Sequence, residues 1–301
     1  MTTLAAVNTR ENPLAKILRR IAAEREWGVA ILLGLTIAAA ACVNHDFLKL
    51  GNLRDALVNN AAFVIIACGA TFVIVTGEID ISMGSLAGLC AATLGVMSSP
   101  QRFGLSPTTA ILITLALGLL VGIVNGVLVA YARVPSIIVT LGMLTALRGV
   151  TDIVMQGKWI EVVPKLAAIG TGRIFGIDIC VVVAVIVVIA SLLMATRTPL
   201  GRRIYAVGSN PHAARLAGLS PRRIKLFVFA LTGLLVGVAV VVDATRLPQL
   251  EAGYGKNWEL FIVTAVIVGG TSISGGKGTI IGTVLAVLLL GLIGTVMIFL
   301  R

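Results

Sequence analysis

Residues 197–225, RTPLGRRIYAVGSNPHAARLAGLSPRRIK, form the longest polar run between two apolar segments of the chain. Seven of these residues are Lys or Arg and none is acidic. A basic loop between two long apolar segments is typical of the cytoplasmic side of a helical membrane protein. The stretch therefore indicates both the class of fold and the orientation of the helices on either side of it.

The same stretch contains the start and stop signals of a short helix. Asn210 is a good N-cap, and Pro211 suits the first helical position. Gly218 suits the left-handed residue that follows a helix C-terminus. These signals predict a helix over residues 211–217, about 10 Å long. Two interpretations are open at this point: a solvated positive loop, or a docking element for a cytoplasmic partner.

The composition supports an integral membrane protein. The 301 residues are 58% hydrophobic and 12% charged, with a mean hydropathy of +1.05, whereas a soluble domain is about a quarter charged. The apolar runs are too long for the alternating strands of an outer-membrane barrel. The net charge of +11 lies in loops beside apolar runs, which favours lipid over nucleic acid as the partner.

The apolar runs predict an all-α, polytopic protein with nine transmembrane helices in a single domain over residues 27–301. Residues 1–26 are basic and are predicted to form a cytoplasmic N-terminal segment. Counting crossings from that side also places the 197–225 loop in the cytoplasm and residues 243–259 outside. The predicted spans are 27–43, 57–76, 82–97, 108–131, 135–155, 175–195, 225–242, 260–269 and 279–300.

The sequence contains neither a phosphate-binding loop nor a metal or disulfide pattern. The run Gly275-Gly276-Lys277-Gly278 resembles a phosphate-binding loop, but Thr271 and Gly278 break the required pattern. A tight bend between two helices explains it better. The four Cys and two His have no metal-binding or disulfide spacing. We therefore expect no metal, cofactor or catalytic site on this chain.

Charged residues at the edges of the spans are candidates for a translocation pathway. Near the inner boundary, Asp80 or Ser82 could cap the third span while Glu78 is solvated, or Glu78 and Asp80 could line an inner mouth. Arg148 and Asp152 are four residues apart on one face of the fifth span, close enough to pair. A functional role and a structural ion pair are both open for them.

Four stretches in combination resemble a known family. The stretches are VIVTGEIDISMGS (73–85), NGVLVAYARVPSIIVTLGMLTALRG (125–149), TPLGRRIYAVGSNPHAARLAGL (198–219) and VIVGGTSISGGKGTIIG (266–282). They resemble the membrane permease subunits of ribose-type ATP-binding cassette importers, over most of the chain from about residue 52 to 300.

The resemblance implies a transport subunit of the bacterial inner membrane that carries a monosaccharide or a similar small polyol. It implies a second permease subunit, a cytoplasmic ATPase that holds ATP and Mg, and a periplasmic sugar-binding protein. The predicted short helix is similar to the family's coupling helix, which packs its small and apolar side chains into a groove of the ATPase. The implied coupling residues are Asn210, Pro211, His212, Ala213, Ala214, Arg215, Leu216, Ala217 and Gly218. The candidate pathway residues are Glu78, Asp80, Asn125, Arg148, Asp152, Thr271 and Ser272.

The chain departs from the family pattern in two places. Glu78 stands where the family often has a glycine, and the family has a tenth helix, so we expect either a truncation after Arg301 or a degenerate family member with weakened activity. The alternative function is a secondary transporter or channel that works without ATP, for which a helix broken at residues 269–270 would also be suitable. The capped helix in the basic loop separates the two, because a self-sufficient carrier does not need it.

Overall fold

The computed structural model describes residues 25–43 and 49–299, and these form helices with a few two-residue strands. The predicted N-terminal segment, except its last two residues, and the chain end at Arg301 lie outside the described residues. The helices are α1 (Arg25–Val43), α2 (Leu50–Val75), α3 (Met83–Ser98), α4 (Pro107–Ala130), α5 (Ser136–Met155), α6 (Pro164–Gly170), α7 (Ile179–Arg197), α8 (Pro199–Ser209), α9 (Pro211–Leu216), α10 (Pro221–Ala244), α11 (Trp258–Val268) and α12 (Ile280–Phe299). The strands are β1 (Ile160–Glu161), β2 (Arg173–Ile174), β3 (Ile177–Asp178) and β4 (Gln249–Leu250).

The all-α, polytopic prediction is confirmed. Each predicted span corresponds to an apolar helix of the described chain. Five of them, α2, α4, α5, α7 and α10, are long and apolar enough to cross a bilayer unaided. The apolar parts of α1, α3, α11 and α12 are shorter. At 11 residues, α11 is only about 16 Å long, so the chain must reach its start in another conformation.

Several predicted boundaries are wrong for identifiable reasons. Helix α2 begins at Leu50 rather than at residue 57, because polar residues of its first turns hid the start. The sixth span was expected from residue 175, but residues 173–178 form an antiparallel hairpin in which Arg173 pairs with Asp178. The connection between the fifth and sixth predicted spans contains a short helix, α6, which has Pro164 in its first turn.

Helix α2 lies at the centre of the bundle. It is buried over 89% of its most apolar window, whereas α7 is buried over only 17%. Its largest enclosed side chains include Ile65, Ile66 and Phe72. A helix that is apolar on every side and buried on every side belongs in the core of a membrane protein. Helices α10, α12, α7 and α11 pack around it.

Glycines bring α4 and α10 into backbone contact. A Cβ atom added to Gly122 would overlap the carbonyl oxygen of Phe229 and would lie 3.2 Å from the Cα of Gly233. A Cβ on Gly118 would overlap the carbonyl oxygen of Gly233 in the same way. Small residues four apart allow transmembrane helices to approach closely enough for van der Waals packing to hold them. This contact is the most extensive helix–helix packing in the described chain.

An ion pair fastens the outer hairpin to the bundle. The Arg54 guanidinium at the start of α2 donates from Nε and Nη2 to the two carboxylate oxygens of Asp178, at 2.6 Å each. Arg173 lies 3.7 Å from the same carboxylate. The hydrogen bonds from Arg54 hold the pKa of Asp178 below its usual value. The hairpin is thereby fixed against α2 although its strands are only two residues long.

Candidate coupling surface and translocation pathway

The short helix predicted in the basic loop is present as α9. The Asn210 Oδ1 atom accepts hydrogen bonds from the backbone N–H groups of His212 and Ala213, at 3.0 and 2.9 Å. Gly218 has a φ of +79°, and the helix ends at Leu216, one residue earlier than predicted. The capping prediction is confirmed, because both termini use the residues that the sequence indicated.

The exposed face of α9 differs from the one expected. Ala214 is 5% exposed and belongs to a buried apolar cluster with Ile204, Val207 and Ile224. Leu216 is 81% exposed. The expectation that Ala214 packs into an ATPase groove is therefore wrong, since that side chain is already covered by its own chain. The face of α9 that remains available contains His212, Ala213 and Leu216.

Helix α8, which immediately precedes α9, was missed in the sequence. Thr198 caps it by accepting a hydrogen bond from the N–H of Gly201 at 3.1 Å, and Pro199 occupies the first position. The Thr-Pro pair and the spacing of the buried Ile204 and Val207 would have been sufficient signals. Helices α8 and α9 together form a two-helix element between α7 and α10.

The glycine-rich bend between α11 and α12 packs on α8. Gly275 and Gly276 have φ values of +83° and +74°, which residues other than glycine rarely adopt. The Gly276 N–H donates to the carbonyl of Val75 at 2.8 Å. The Tyr205 hydroxyl of α8 donates to the carbonyl of Gly278 at 2.7 Å. The bend interpretation is confirmed. The Tyr205 hydroxyl joins α8 to the bend, and the Gly276 N–H joins the bend to the end of α2.

The inner candidates of the pathway lie in the connection between α2 and α3. Asp80 Oδ1 accepts from the N–H and hydroxyl of Ser82, at 2.8 and 2.6 Å. From α4, Asn125 Nδ2 donates to the same hydroxyl at 2.9 Å, and its Oδ1 atom is buried with no partner among the described residues. Neither Asp80 nor Ser82 makes a side-chain cap for α3, so the capping alternative is wrong.

Glu78 is not simply solvated, as one alternative held. Its carboxylate forms an ion pair with Lys225 in the first turn of α10. The side chains of Glu78 and Lys225 are 14% and 22% exposed. The pair links the connection that follows α2 to α10, the helix that follows α9.

Arg148 does not pair with Asp152, which is exposed. Its Nη1 atom donates instead to the carbonyls of Ala252 and Tyr254, at 2.9 and 3.0 Å. These carbonyls belong to a non-helical segment that packs along α3. At the outer end Leu250 meets Gly95, and farther in Tyr254 meets Gly88. Those glycines are seven residues apart, so the segment descends about 10 Å into the bundle.

This descending segment explains the short length of α11. Backbone without regular structure is tolerated at membrane depth only where protein covers it or a cavity solvates it. Here the glycines of α3 allow the segment to approach that helix closely. Arg148 donates hydrogen bonds to carbonyl groups of the segment that water would otherwise solvate. The Tyr254 hydroxyl donates to Asp243 Oδ2 at 2.7 Å. Sequence reasoning missed this contact. It also missed Glu259, which is 9% exposed and whose Oε2 has no partner in the described part of the chain.

The two remaining candidates lie in the bend. Ser272 donates its backbone N–H to the carbonyl of Lys277 at 2.9 Å and so closes the turn. Thr271 is 2% exposed, and its hydroxyl has no partner within the described residues. The structure thus groups Glu78, Asp80 and Asn125 near the inner end, with Arg148 and Asp152 in the outer half of α5. Their role in transport stays a prediction.

Comparison with known proteins identifies the family. The family model described as branched-chain amino acid transport system / permease component matches residues 52–300. The ribose import permease of Haemophilus influenzae is 36% identical over 266 residues, which cover 87% of this chain and 81% of that protein. The corresponding permease of Escherichia coli K12 is 38% identical over 266 residues, 87% of this chain and 82% of that protein.

A third relative bears a different name. The autoinducer 2 import system permease of Yersinia pseudotuberculosis is 34% identical over 287 residues, which cover 95% of this chain and 81% of that protein. No solved structure gives a significant match. Because the family model and these relatives span most of the chain, it belongs to the permease family of ribose-type ATP-binding cassette importers.

Proposed function

We propose that this chain is the permease subunit of an importer for a monosaccharide or a similar small polyol in the bacterial inner membrane. It pairs with a second permease subunit and receives its solute from a periplasmic binding protein. ATP and Mg bind to a separate cytoplasmic ATPase, and this chain supplies no catalytic group. The family and the ribose import relatives support the importer class and the sugar-type solute.

The conformation and exposure of α9 support a coupling role. A helix of six residues is too short to be stable alone, yet here it is capped at both ends and seated on α8. It presents a leucine that is 81% exposed among basic residues. A large apolar side chain on such a held, protruding helix fits a protein groove. An ATP-independent carrier would not require this element.

Substitution of Leu216 tests the proposal. Burying a leucine side chain is worth about 1.5–3 kcal/mol, so Leu216→Asp should weaken association with the ATPase at least about tenfold. Leu216→Met keeps the volume and apolar character and should associate normally. Co-purification of the ATPase with each permease variant, followed by uptake in cells, measures both effects. Normal association and uptake by the Asp variant would exclude α9 as the coupling helix.

The solute class is tested separately. The family description names branched-chain amino acids, whereas the relatives at 36–38% identity are named for ribose. Uptake of radiolabelled pentoses and of leucine should be compared in cells that express the chain with its ATPase and binding protein. We expect saturable pentose uptake that depends on ATP. Uptake of leucine alone would overturn the sugar assignment and leave the importer class intact.

A further inference from the structure

A cleft of about 680 Å³ opens beside the coupling element. Its walls come from the end of α4, the turn before α5, one side of α9 and the start of α10. Four cationic side chains line it, namely Arg133, Arg215, Arg222 and Lys225, and its one acidic residue is Glu78. The cleft is therefore strongly basic.

Most of this positive charge has no acidic partner within the described residues. Glu78 is committed to Lys225. Within the described residues, no ion pair or side-chain hydrogen bond is formed by Arg133, Arg215 or Arg222. Three guanidinium groups thus line one cleft without an ion-pair partner in the part of the chain that the structure describes. A planar guanidinium donates two parallel hydrogen bonds to a phosphate, and several of them together favour that anion.

The other residues that line the cleft suit a ligand that lies near the membrane boundary. The cleft has apolar walls formed by Val129, Val134 and Leu219. Its α4 and α10 walls continue into the apolar parts of these two helices. Arg133 has a φ of +60°, a left-handed conformation that costs a non-glycine residue about 1 kcal/mol or more. An arginine is thus held in a strained conformation at a place where glycine would be relaxed.

The cleft is separate from the face of α9 proposed to meet the ATPase. Pro211 and Arg215 line the cleft and are four residues apart, so they share one side of the helix. Leu216 is one residue farther, about 100° around the helix axis. An anion in the cleft and a protein on the Leu216 face can therefore be present together.

We propose that this cleft binds a phosphate group on the cytoplasmic side of the membrane. The phosphate could belong to an anionic lipid headgroup or to a soluble phosphate compound, since both present the same oxygens to the arginines. Basic pockets between transmembrane helices on this side suit lipid headgroups. Because the cleft includes one side of α9, the bound anion stabilises the position of the coupling element.

The test uses the full chain in nanodiscs made of phosphatidylcholine. Thermal unfolding is followed by tryptophan fluorescence as phosphatidylglycerol is added to the lipid or inorganic phosphate to the buffer, with sodium chloride at matched ionic strength as the reference. Arg222→Gln and Arg215→Gln should require about tenfold more of the effective probe, because each removes a charge-assisted hydrogen bond. Arg223→Gln is the matched control, since Arg223 is exposed and does not line the cleft.

Each outcome has one meaning. Stabilisation by phosphatidylglycerol but not by inorganic phosphate supports a lipid ligand, and stabilisation by both supports a soluble phosphate site. No stabilisation by either probe overturns the proposal. Equal responses of Arg222→Gln and Arg223→Gln also overturn it. If Arg222→Gln loses ATPase association while no anion binds, the cleft is a protein contact instead.

Discussion

Replacing Gly122 with alanine is expected to destabilise the isolated subunit, whereas the same change at Gly142 is expected to stabilise it slightly. A Cβ on Gly122 would overlap the carbonyl oxygen of Phe229 and lie 3.0 Å from the Cα of Ala230. A Cβ on Gly142 meets nothing within 4 Å. The two glycines both lie inside transmembrane helices, so only their surroundings differ.

The magnitudes follow from these contacts. Ordinary Cβ contacts begin at 3.4 Å, so the α4 and α10 backbones must separate by about 1 Å to clear the carbonyl oxygen of Phe229. A gap of that size forfeits a sizeable part of each van der Waals contact along the interface. Overpacking costs about 1–3 kcal/mol, and the helix propensity of alanine returns up to about 1 kcal/mol. We expect a net loss of about 1–2 kcal/mol at Gly122, against a gain of up to about 1 kcal/mol at Gly142.

Thermal unfolding of both variants in the same detergent measures the difference. Gly122→Ala should unfold several degrees below the wild-type protein, and Gly142→Ala at or slightly above it. The contrast between the two is the informative quantity, because detergent affects both equally. If Gly122→Ala is as stable as Gly142→Ala, the α4–α10 backbone contact is not a source of stability and the packing argument fails.

Three further predictions concern other parts of the chain. Arg148→Met leaves two carbonyls unpaired inside the bundle and should cost about 2–6 kcal/mol of stability in the same assay, whereas a loss below about 1 kcal/mol would show that water satisfies them. The lowered pKa of Asp178 stabilises the folded protein above the unfolded pKa of about 3.9, and this stabilisation is lost as pH falls below that value. The difference in stability between wild type and Arg54→Gln should therefore shrink below about pH 4. A difference that stays constant with pH contradicts the ion-pair role. Single cysteines at Ala213 and Lys256, in a cysteine-free background, should label from opposite sides of the membrane, and labelling from one side would refute the orientation.

The parts of the fold that could be predicted are those with a local physical cause. Long apolar runs locate helices because a bilayer requires them. Asn210 and Gly218 locate the ends of α9 because only a few residue types satisfy helix termini. The bend at residues 275–278 was predictable because adjacent glycines interrupt a helix.

The parts that could not be predicted depend on contacts between distant residues. Arg148 bonds to carbonyls more than a hundred positions away, and nothing near Arg148 in the sequence indicates them. The nearby Asp152 was a plausible partner at helical spacing, yet it faces outward. The burial of Ala214 depends on α8, and once α8 was missed, the orientation of α9 could not be derived.

The bonds that join α8 to the glycine-rich bend, and the bend to the end of α2, have a thermodynamic consequence. A displacement of the two-helix element is passed on through the bend, because the Tyr205 hydroxyl holds α8 to Gly278 and the Gly276 N–H holds the bend to Val75. If the ATPase changes the conformation of the bundle through this contact, linkage requires that ligands of the bundle change the affinity for the ATPase by the same factor. Occupancy at the outer face should thus be measurable as a change in ATPase affinity before any ATP is hydrolysed.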